Sequence, residues 1–94
     1  MKKLTGLEYD ILNVLYFVEP FENILDEVDA PKNQVADSLR LLIDNKLVVA
    51  MKYSETDRDF KRSFIYDADN MYAYHYLITR DGLVAHNSVQ EDED

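Results

Sequence analysis

The chain of 94 residues has no cysteine and no tryptophan, and only two glycines and two prolines. Without cysteine there can be no disulfide, no thiolate nucleophile and no zinc site with cysteine ligands. The glycines stand alone at positions 6 and 82, so the glycine-rich loop that cradles phosphates is missing. A chain of this length therefore depends on one modest hydrophobic core for its stability.

Long apolar runs are also missing, although 47% of the residues are hydrophobic. A membrane-spanning helix needs ~20 consecutive apolar residues, and no stretch of this chain approaches that length. Lys2 and Lys3 are followed by acidic residues rather than by the apolar core of a secretory signal. The sequence therefore predicts a globular protein with no membrane partner, and it favours the cytoplasm.

Basic residues are scarce, with 10 lysines and arginines against 19 acidic residues and a formal net charge of −9. Seven of the basic residues fall within residues 32–62, which hold five acidic residues, so this central third is net positive. Residues 1–31 and 63–94 are both strongly acidic. The central third is the part that a nucleic acid would contact, unless all the charges simply form a solvated surface.

Residues that carry catalysis or bind metals are few and poorly spaced. His75 and His86 can be combined with Asp81 only in a spacing that matches no recognised metal site. The serines lack a nucleophile motif, and the acidic residues lack the EF-hand pattern. We therefore predict that the chain is not an enzyme and uses no cofactor, and that each histidine is a solvated or core residue.

Two helices are predicted before residue 30. Thr5 and Glu8 form a capping box, and apolar residues recur at helical spacing from position 7 to position 18. Residues 19–20 end this helix, because the residue before a proline avoids the helical conformation. A short second helix covers residues 21–28, and its apolar residues are spaced to face inward.

The third helix is the stretch around which the other elements are predicted to pack. Pro31 occupies its first helical position, where the missing N–H is no loss. Val35, Leu39 and Leu42 recur at steps of four and three, so they share one face. Asn45 ends the helix, because asparagine tolerates the left-handed conformation of a helix terminus. The predicted core contains Ile11, Leu15, Ile24, Leu25, Val35, Leu39 and Leu42.

The second half is predicted to be mainly β-strand. Apolar residues alternate from position 47 to 53, and another strand is expected at residues 63–66 of the polar stretch that follows. Residues 67–70 have turn chemistry. Residues 71–79 alternate again. One face of this last strand would carry Tyr72, Tyr74, Tyr76 and Ile78.

A last short helix closes the predicted domain. Thr79 is its cap, and the helix is expected to reach His86 or Val89. The chain would then be a single domain over residues 1–90, followed by a disordered acidic tail at residues 91–94.

Three pieces of the sequence resemble winged helix-turn-helix transcriptional regulators of the multiple-antibiotic-resistance-regulator type. The first is Leu4-Thr5-x-x-Glu8-x-x-Ile11-Leu12, at the head of the first helix. The second is Val35-x-x-x-Leu39-x-x-Leu42-x-x-x-Lys46-Leu47-Val48, which is similar to the family's recognition helix running into a strand. The third is Tyr76-x-Ile78-Thr79-x-x-Gly82, which is similar to the exit from the wing into a helix.

The resemblance implies an α+β winged helix-turn-helix, with a three-helix core, a β-hairpin or three-stranded wing and a short C-terminal helix. The third helix would enter the major groove, and the wing would contact the flanking backbone. The chain departs from the family in three respects. Lys46 stands where glycine is common, the acidic–basic sequence Asp57-Arg58-Asp59 lies too far from Thr79, and only a short helix follows Gly82.

DNA binding would use the outer face of the third helix and the wing. Asn33 and Gln34 suit adenine edges, and Arg40 suits guanine or phosphate. Asp37 and Asp44 would repel phosphates, so a solvated helix face explains the same residues equally well. The predicted DNA-binding set is Lys32, Asn33, Gln34, Arg40, Arg58, Lys61 and Arg62.

A second possible function is a winged helix that docks a basic protein partner through its acidic surface without binding DNA. The net charge favours this function, whereas the prevalence of DNA binding in the family favours the first. A DNA regulator of this type is expected to be a homodimer, because it reads two half-sites. Leu12, Tyr16 and Phe17 exceed what one core face requires, so they would bury against a second copy unless the core absorbs them all.

Overall fold

A computed structural model describes residues 4–63 and 66–91 of the chain. Within these residues the chain forms four α-helices and a four-stranded antiparallel sheet, so the predicted α+β class is confirmed. The elements in chain order are α1 (Gly6–Val14), β1 (Glu19–Pro20), α2 (Phe21–Glu27), α3 (Lys32–Asp44), β2 (Val48–Ser54), β3 (Asp59–Arg62), a 3-10 turn (Met71–Ala73), β4 (His75–Ile78) and α4 (Arg80–Glu91).

The sheet has the strand order β1-β4-β2-β3. β2 and β3 form a hairpin in which Met51 lies opposite Arg62. The chain then leaves the edge strand β3 and returns on the other side of β2, where Tyr76 of β4 lies opposite Ala50. Tyr76 also lies opposite Glu19 of β1, so β4 joins the short first strand to the hairpin.

The predicted core is confirmed at all but one of its positions. Ile11, Leu15, Ile24, Val35, Leu39 and Leu42 are fully buried, and Leu25 is half-buried against them. The sheet covers this helical core with one face, through Val48, Ala50, Tyr76 and Ile78. The burial of alternate residues along β2 and β4 follows from the period of two in a strand.

The predicted helix caps of Thr5 and Thr79 are confirmed. The Thr5 hydroxyl accepts from the Glu8 N–H at 3.1 Å, and a carboxylate oxygen of Glu8 accepts from the Thr5 N–H at 2.9 Å. The Thr79 hydroxyl accepts from the Gly82 N–H at 3.0 Å. Pro31 differs slightly from its prediction, because it is the N-cap of α3 rather than its first helical residue.

The first helix is shorter than its apolar pattern predicts. α1 ends at Val14, and residues 19–20 belong to a strand instead of closing the helix. The carbonyl oxygen of Leu15 accepts from the Ile78 N–H at 2.9 Å, and residues 19–20 pair with β4. Pairing with the sheet therefore overrides the helical spacing of residues 15–18.

In the second half, one strand prediction is wrong and another is too long. Ser63 and Tyr66 are not in a strand, residues 64–65 lie outside the described part, and the strand is β3 instead. Residues 71–73 form the 3-10 turn, so the last strand is reduced to β4. The hydroxyl of the buried Tyr76 donates to the Met71 carbonyl at 2.8 Å, which holds the turn under the sheet. Tyr72 lies in this turn and is 52% exposed, not on a strand face.

The ends of α3 and α4 also differ from their predictions. The left-handed residue after α3 is Lys46, with φ 63°, whereas Asn45 has φ −85°. Glu91 is the last residue of α4 rather than the start of a tail, and residues 92–94 lie outside the described part. None of the described helices has the length and apolar content that a membrane crossing requires.

Candidate nucleic-acid interface

The first turn of α3 presents polar side chains to solvent. Lys32, Asn33 and Gln34 follow Pro31 directly and are all exposed, while Val35 turns into the core. Within the described residues, neither the Asn33 nor the Gln34 amide has a partner in the protein. These two amides therefore keep all their donors and acceptors for an external ligand.

Arg40 is engaged within the protein, unlike these amides. One guanidinium nitrogen, Nη1, lies 2.6 Å from a carboxylate oxygen of Asp37, and Nε donates to the Ala68 carbonyl at 3.2 Å. The predicted reader of guanine or phosphate is thus a half-buried brace between α3 and the chain after the hairpin. These bonds use two of the five N–H groups of the guanidinium and hold it against the protein.

Lys32 also has an internal contact. Its ammonium lies 4.7 Å from the centroid of the Tyr72 ring, and the edge of that ring meets Phe21 at a centroid distance of 5.0 Å. A cation over an aromatic face is stabilised by about 0.5–1 kcal/mol at an exposed site. Lys32 remains exposed, so this contact orients the side chain without removing its charge from solvent.

Residues 66–74, here called the return segment, follow one side of α3 from its end to its start. Tyr66 lies near Asp44 and Arg40, Ala68 meets Arg40, and Tyr72 meets Lys32. Burial raises the pKa of the Tyr66 phenol, and the Asp44 carboxylate raises it further while Arg40 opposes both. The α3 surface that this segment leaves open includes Gln34, Asp37, Leu41 and Asn45, all of them exposed.

The tip of the β2–β3 hairpin, residues 55–58, carries the next predicted contact. Ser54 and Asp59 form the last pair of the hairpin. Arg58, the last residue of the tip, has a left-handed backbone with φ 51°. The Asp57 N–H and the Ser54 hydroxyl are 3.4 Å apart. Arg58 is exposed and, among the described residues, has no partner in the protein.

Lys61 and Arg62 are both exposed but lie on opposite faces of the hairpin. Adjacent residues of a strand alternate between faces, and Arg62 is opposite Met51 while Lys61 is opposite Lys52. Lys61 also lies 3.4 Å from the Asp57 carboxylate. A surface that meets one face of the hairpin therefore meets only one of these two cations, and the three predicted hairpin residues do not form one patch.

The turn between α3 and β2, residues 45–47, is held by the start of α4. The Thr79 hydroxyl donates to the Lys46 carbonyl at 2.7 Å, and the Thr79 N–H donates to the Leu47 carbonyl at 3.0 Å. Gly82 packs so closely that a Cβ there would overlap the Leu47 carbonyl oxygen. These contacts fix the angle between α3 and β2. They also explain the spacing of three residues between Thr79 and Gly82.

A cleft of about 490 Å³ separates the last turn of α3 from the hairpin. Its floor is apolar, with Val48 and Ala50, and its rim includes Asp44, Lys46 and Tyr66. Charges of both signs line it, so the lining does not select one class of ligand. Among the described residues, no group of three or more histidine, cysteine or acidic side chains is arranged to hold a metal ion.

The sequence indicated the polar first turn of α3 but not the internal partners of Lys32, Arg40 and Lys61. Except for Asp37 of α3, those partners lie between residues 57 and 72, where the predicted strands differ from the observed ones. The spacing of Asp37 and Arg40, and of Asp57 and Lys61, was a local signal for pairing on a helix or in a turn. Comparison with known proteins adds no relative, since no family model, curated protein or solved structure matches the chain.

Proposed function

We propose that this chain is a winged-helix domain that binds duplex DNA, with α3 in the major groove and the β2–β3 hairpin as its wing. The observation that carries the proposal is the order of elements. Three helices come first, with a short strand after the first helix and a hairpin after the third. β4 then pairs with both β1 and β2. This arrangement supports the helix-turn-helix geometry implied by the sequence resemblance, with β3 as an additional edge strand. Such a regulator would act in the cytoplasm.

The proposed DNA contacts fall into two groups. Asn33 and Gln34 at the start of α3 would read base edges, for which amide side chains suit adenine. Lys32, Arg58 and one of Lys61 and Arg62, which lie on opposite faces of the hairpin, would contact phosphates and position the domain. Arg40 is now left out of the set, because its guanidinium is bonded to Asp37 and Ala68.

The salt dependence of binding tests the phosphate contacts. Each neutralised phosphate contributes about −0.9 to the log–log salt slope, so three cations allow a slope of about −2.7 per protomer. Replacing Arg58, Lys61 and Arg62 together by alanine should flatten the slope by about 1.8 units, because only one of Lys61 and Arg62 faces the duplex. Arg80→Ala is the matched control, because Arg80 is an exposed arginine on α4, outside the proposed interface.

Sequence selection tests the base contacts. Asn33→Ala and Gln34→Ala should each weaken binding to a selected sequence by about 1–3 kcal/mol, while mixed-sequence DNA should change little. Asn13→Ala is the matched control, since Asn13 is exposed on α1. If the parent protein selects no sequence from a random duplex pool even at low salt, the DNA-binding proposal fails.

Docking of a basic protein is the second candidate, and a specific observation favours it. At least three of the seven predicted contact residues are engaged internally, and the open face of α3 presents Asp37 beside Leu41, which is 45% exposed. An acidic residue next to an exposed apolar one suits a basic, partly apolar protein surface better than phosphate. Under this function, Leu41→Ser should weaken partner binding and leave DNA titrations unchanged.

The predicted homodimer is retained as a proposal with a smaller contact set. Leu12 is fully buried, so the core absorbs this residue and it cannot meet a second copy. Phe17 is 77% exposed and Tyr16 is 41% exposed, so these two residues remain. Sedimentation at tens of micromolar should show a dimer that Phe17→Ser weakens; a monomer throughout that range would remove the proposal.

A further inference from the structure

His86 is buried between α4 and α1, away from α3 and the hairpin. Its side chain is 4% exposed, and its ring stacks on Tyr9 with a centroid distance of 4.2 Å and an interplanar angle of 17°. The Tyr16 hydroxyl lies 2.8 Å from Nδ1. One imidazole therefore connects the middle of α4 to Tyr9 on α1 and to Tyr16 in the segment after α1.

The other ring nitrogen, Nε2, is buried and has no hydrogen-bond partner among residues 4–63 and 66–91. In neutral His86, Nδ1 either accepts a hydrogen bond from the Tyr16 hydroxyl or donates one to it. In the first tautomer the Nε2 N–H is left without an acceptor, and in the second the Nε2 lone pair is left without a donor. An imidazolium would add a second buried N–H together with a full charge. The site therefore tolerates the neutral ring and opposes the charged one.

We propose that protonation of His86 releases α4 from α1, so that the packing of the C-terminal helix depends on pH in the mildly acidic range. Burial lowers the pKa of His86 in the folded protein, in agreement with this geometry. The neutral form is favoured by folding, so the stabilisation is present above the unfolded-state value near 6.5 and is lost as the pH falls through the lower folded-state pKa.

The charged groups on the surrounding elements do not offset this effect. On α1, Glu8 accepts from its own cap residue Thr5, and Asp10 is exposed. On α4 itself, Arg80 and Asp81 are exposed in the first turn, and Lys46 in the α3–β2 turn is exposed as well. Within the described residues, no ion pair joins His86 to a carboxylate. The Tyr9 ring face attracts a cation, but it does not replace a hydrogen bond at Nε2.

Release of α4 would reach the α3–β2 turn through the same helix. Thr79 and Gly82, which hold Lys46 and Leu47 in place, lie at the start of α4. Loosening the middle of α4 therefore weakens the contacts that fix the direction of α3. This consequence requires only the observed packing, so it stands or falls independently of DNA binding.

The chain contains only two histidines, which makes the test direct. The imidazole proton resonances of the full chain are followed by NMR from pH 8 to pH 4.5, and His75→Gln identifies the signal of His86. His75 lies half-buried on β4 against Phe60 and gives the second imidazole signal. We expect His86 to titrate below 6.5. Titration of His86 at or above 6.5 overturns the proposal.

The response of α4 is measured in the same titration and in variants. Signals of Ala85 and Ser88 should broaden or shift as His86 titrates, while those of Leu39 in the core should not. His86→Phe, which keeps an aromatic ring, and His86→Gln should abolish this response, whereas His75→Gln should retain it. As the pH falls, the equilibrium constant for unfolding of the parent should rise relative to these two variants. The rise should be up to tenfold for each unit by which folding lowers the pKa of His86. An equal pH dependence in parent and His86→Phe would overturn the proposal. If His86→Phe does not fold, the NMR titration of the parent is the deciding test.

Discussion

Two residues in the described part of the chain adopt the left-handed backbone conformation that favours glycine, and neither is glycine. Lys46, with φ 63°, ends α3, and Arg58, with φ 51°, ends the hairpin tip. A side chain in this conformation costs about 1–2 kcal/mol. The two residues have the same local problem but entirely different surroundings.

Lys46 is held by residues that are distant in sequence. Its carbonyl accepts from the Thr79 hydroxyl, and the Leu47 carbonyl beside it is covered by Gly82. Arg58 is held only by its own hairpin, through the loose contacts of Ser54 and Asp57. The comparison indicates that the α3–β2 turn is fixed by tertiary structure, whereas the hairpin tip is free to relax its strain in solution. The following variants test that difference.

The largest effect is expected in the core that anchors α3 before Lys46. Leu39 is fully buried, and Leu39→Ala should destabilise the domain by about 2–5 kcal/mol, because the surrounding core cannot close the cavity. Leu41→Ala on the exposed side of the same helix should change stability by about 0.5 kcal/mol or less. Urea unfolding of both variants measures the difference; equal midpoints would mean that the apolar stripe of α3 does not support the fold.

Gly82→Ala should have the next largest effect. The added Cβ would overlap the Leu47 carbonyl and lie 2.7 Å from Cγ1 of Ile78, so backbone has to move. We expect a loss of about 2–3 kcal/mol, the upper part of the usual range for overpacking. Gly6→Ala is the control, since a Cβ at Gly6 meets nothing within 4 Å. Thermal unfolding should separate the two, and a fully stable Gly82→Ala protein would show that α4 does not fix the turn.

Thr79→Val removes one hydroxyl while keeping the branched shape of the side chain. The Lys46 carbonyl loses its donor and the Gly82 N–H loses its cap, which should cost about 1–2 kcal/mol. Thr56→Val makes the same chemical change at the exposed hairpin tip and should cost less than about 0.5 kcal/mol. Chemical denaturation of the pair would contradict the comparison if the two losses were equal.

The smallest effects come from placing glycine at the two left-handed positions. Lys46→Gly should stabilise the domain by about 0.5–1 kcal/mol, because relief of strain exceeds the added freedom of the unfolded chain. Arg58→Gly should stay within about 0.5 kcal/mol of the parent, since the tip already relaxes its strain. Differential scanning calorimetry resolves the two signs. A larger gain at Arg58 than at Lys46 would reverse the comparison.

Elements with strong local signals could be predicted from the sequence. Thr5 and Glu8 cap α1 through reciprocal hydrogen bonds, which form between residues at the start of one helix. Val35, Leu39 and Leu42 are buried together because their spacing places them on one face of α3. In the candidate interface, Asn33 and Gln34 could be predicted as exposed for the same reason. Their exposure follows from the phase of the apolar stripe.

The remaining residues of the candidate interface depend on contacts between distant parts of the chain. Arg40 is paired with the Ala68 carbonyl 28 residues away, and no periodic pattern between them records that contact. Lys32 similarly meets Tyr72 through the return segment. Sequence reasoning could count these cations but could not tell which of them the fold had already engaged.

By itself, the sequence determined the α+β class, the three-helix core and the helix caps of this protein. Those features rest on side-chain period and on hydrogen bonds within four residues, which act wherever the segment is placed. Only the tertiary structure decided that residues 19–20 would pair as a strand, that Lys46 would take the left-handed conformation, and that His86 would be buried with an unpartnered nitrogen. Each of these requires backbone or side-chain groups from α4 or β4, and their energies exist only once the whole chain has folded.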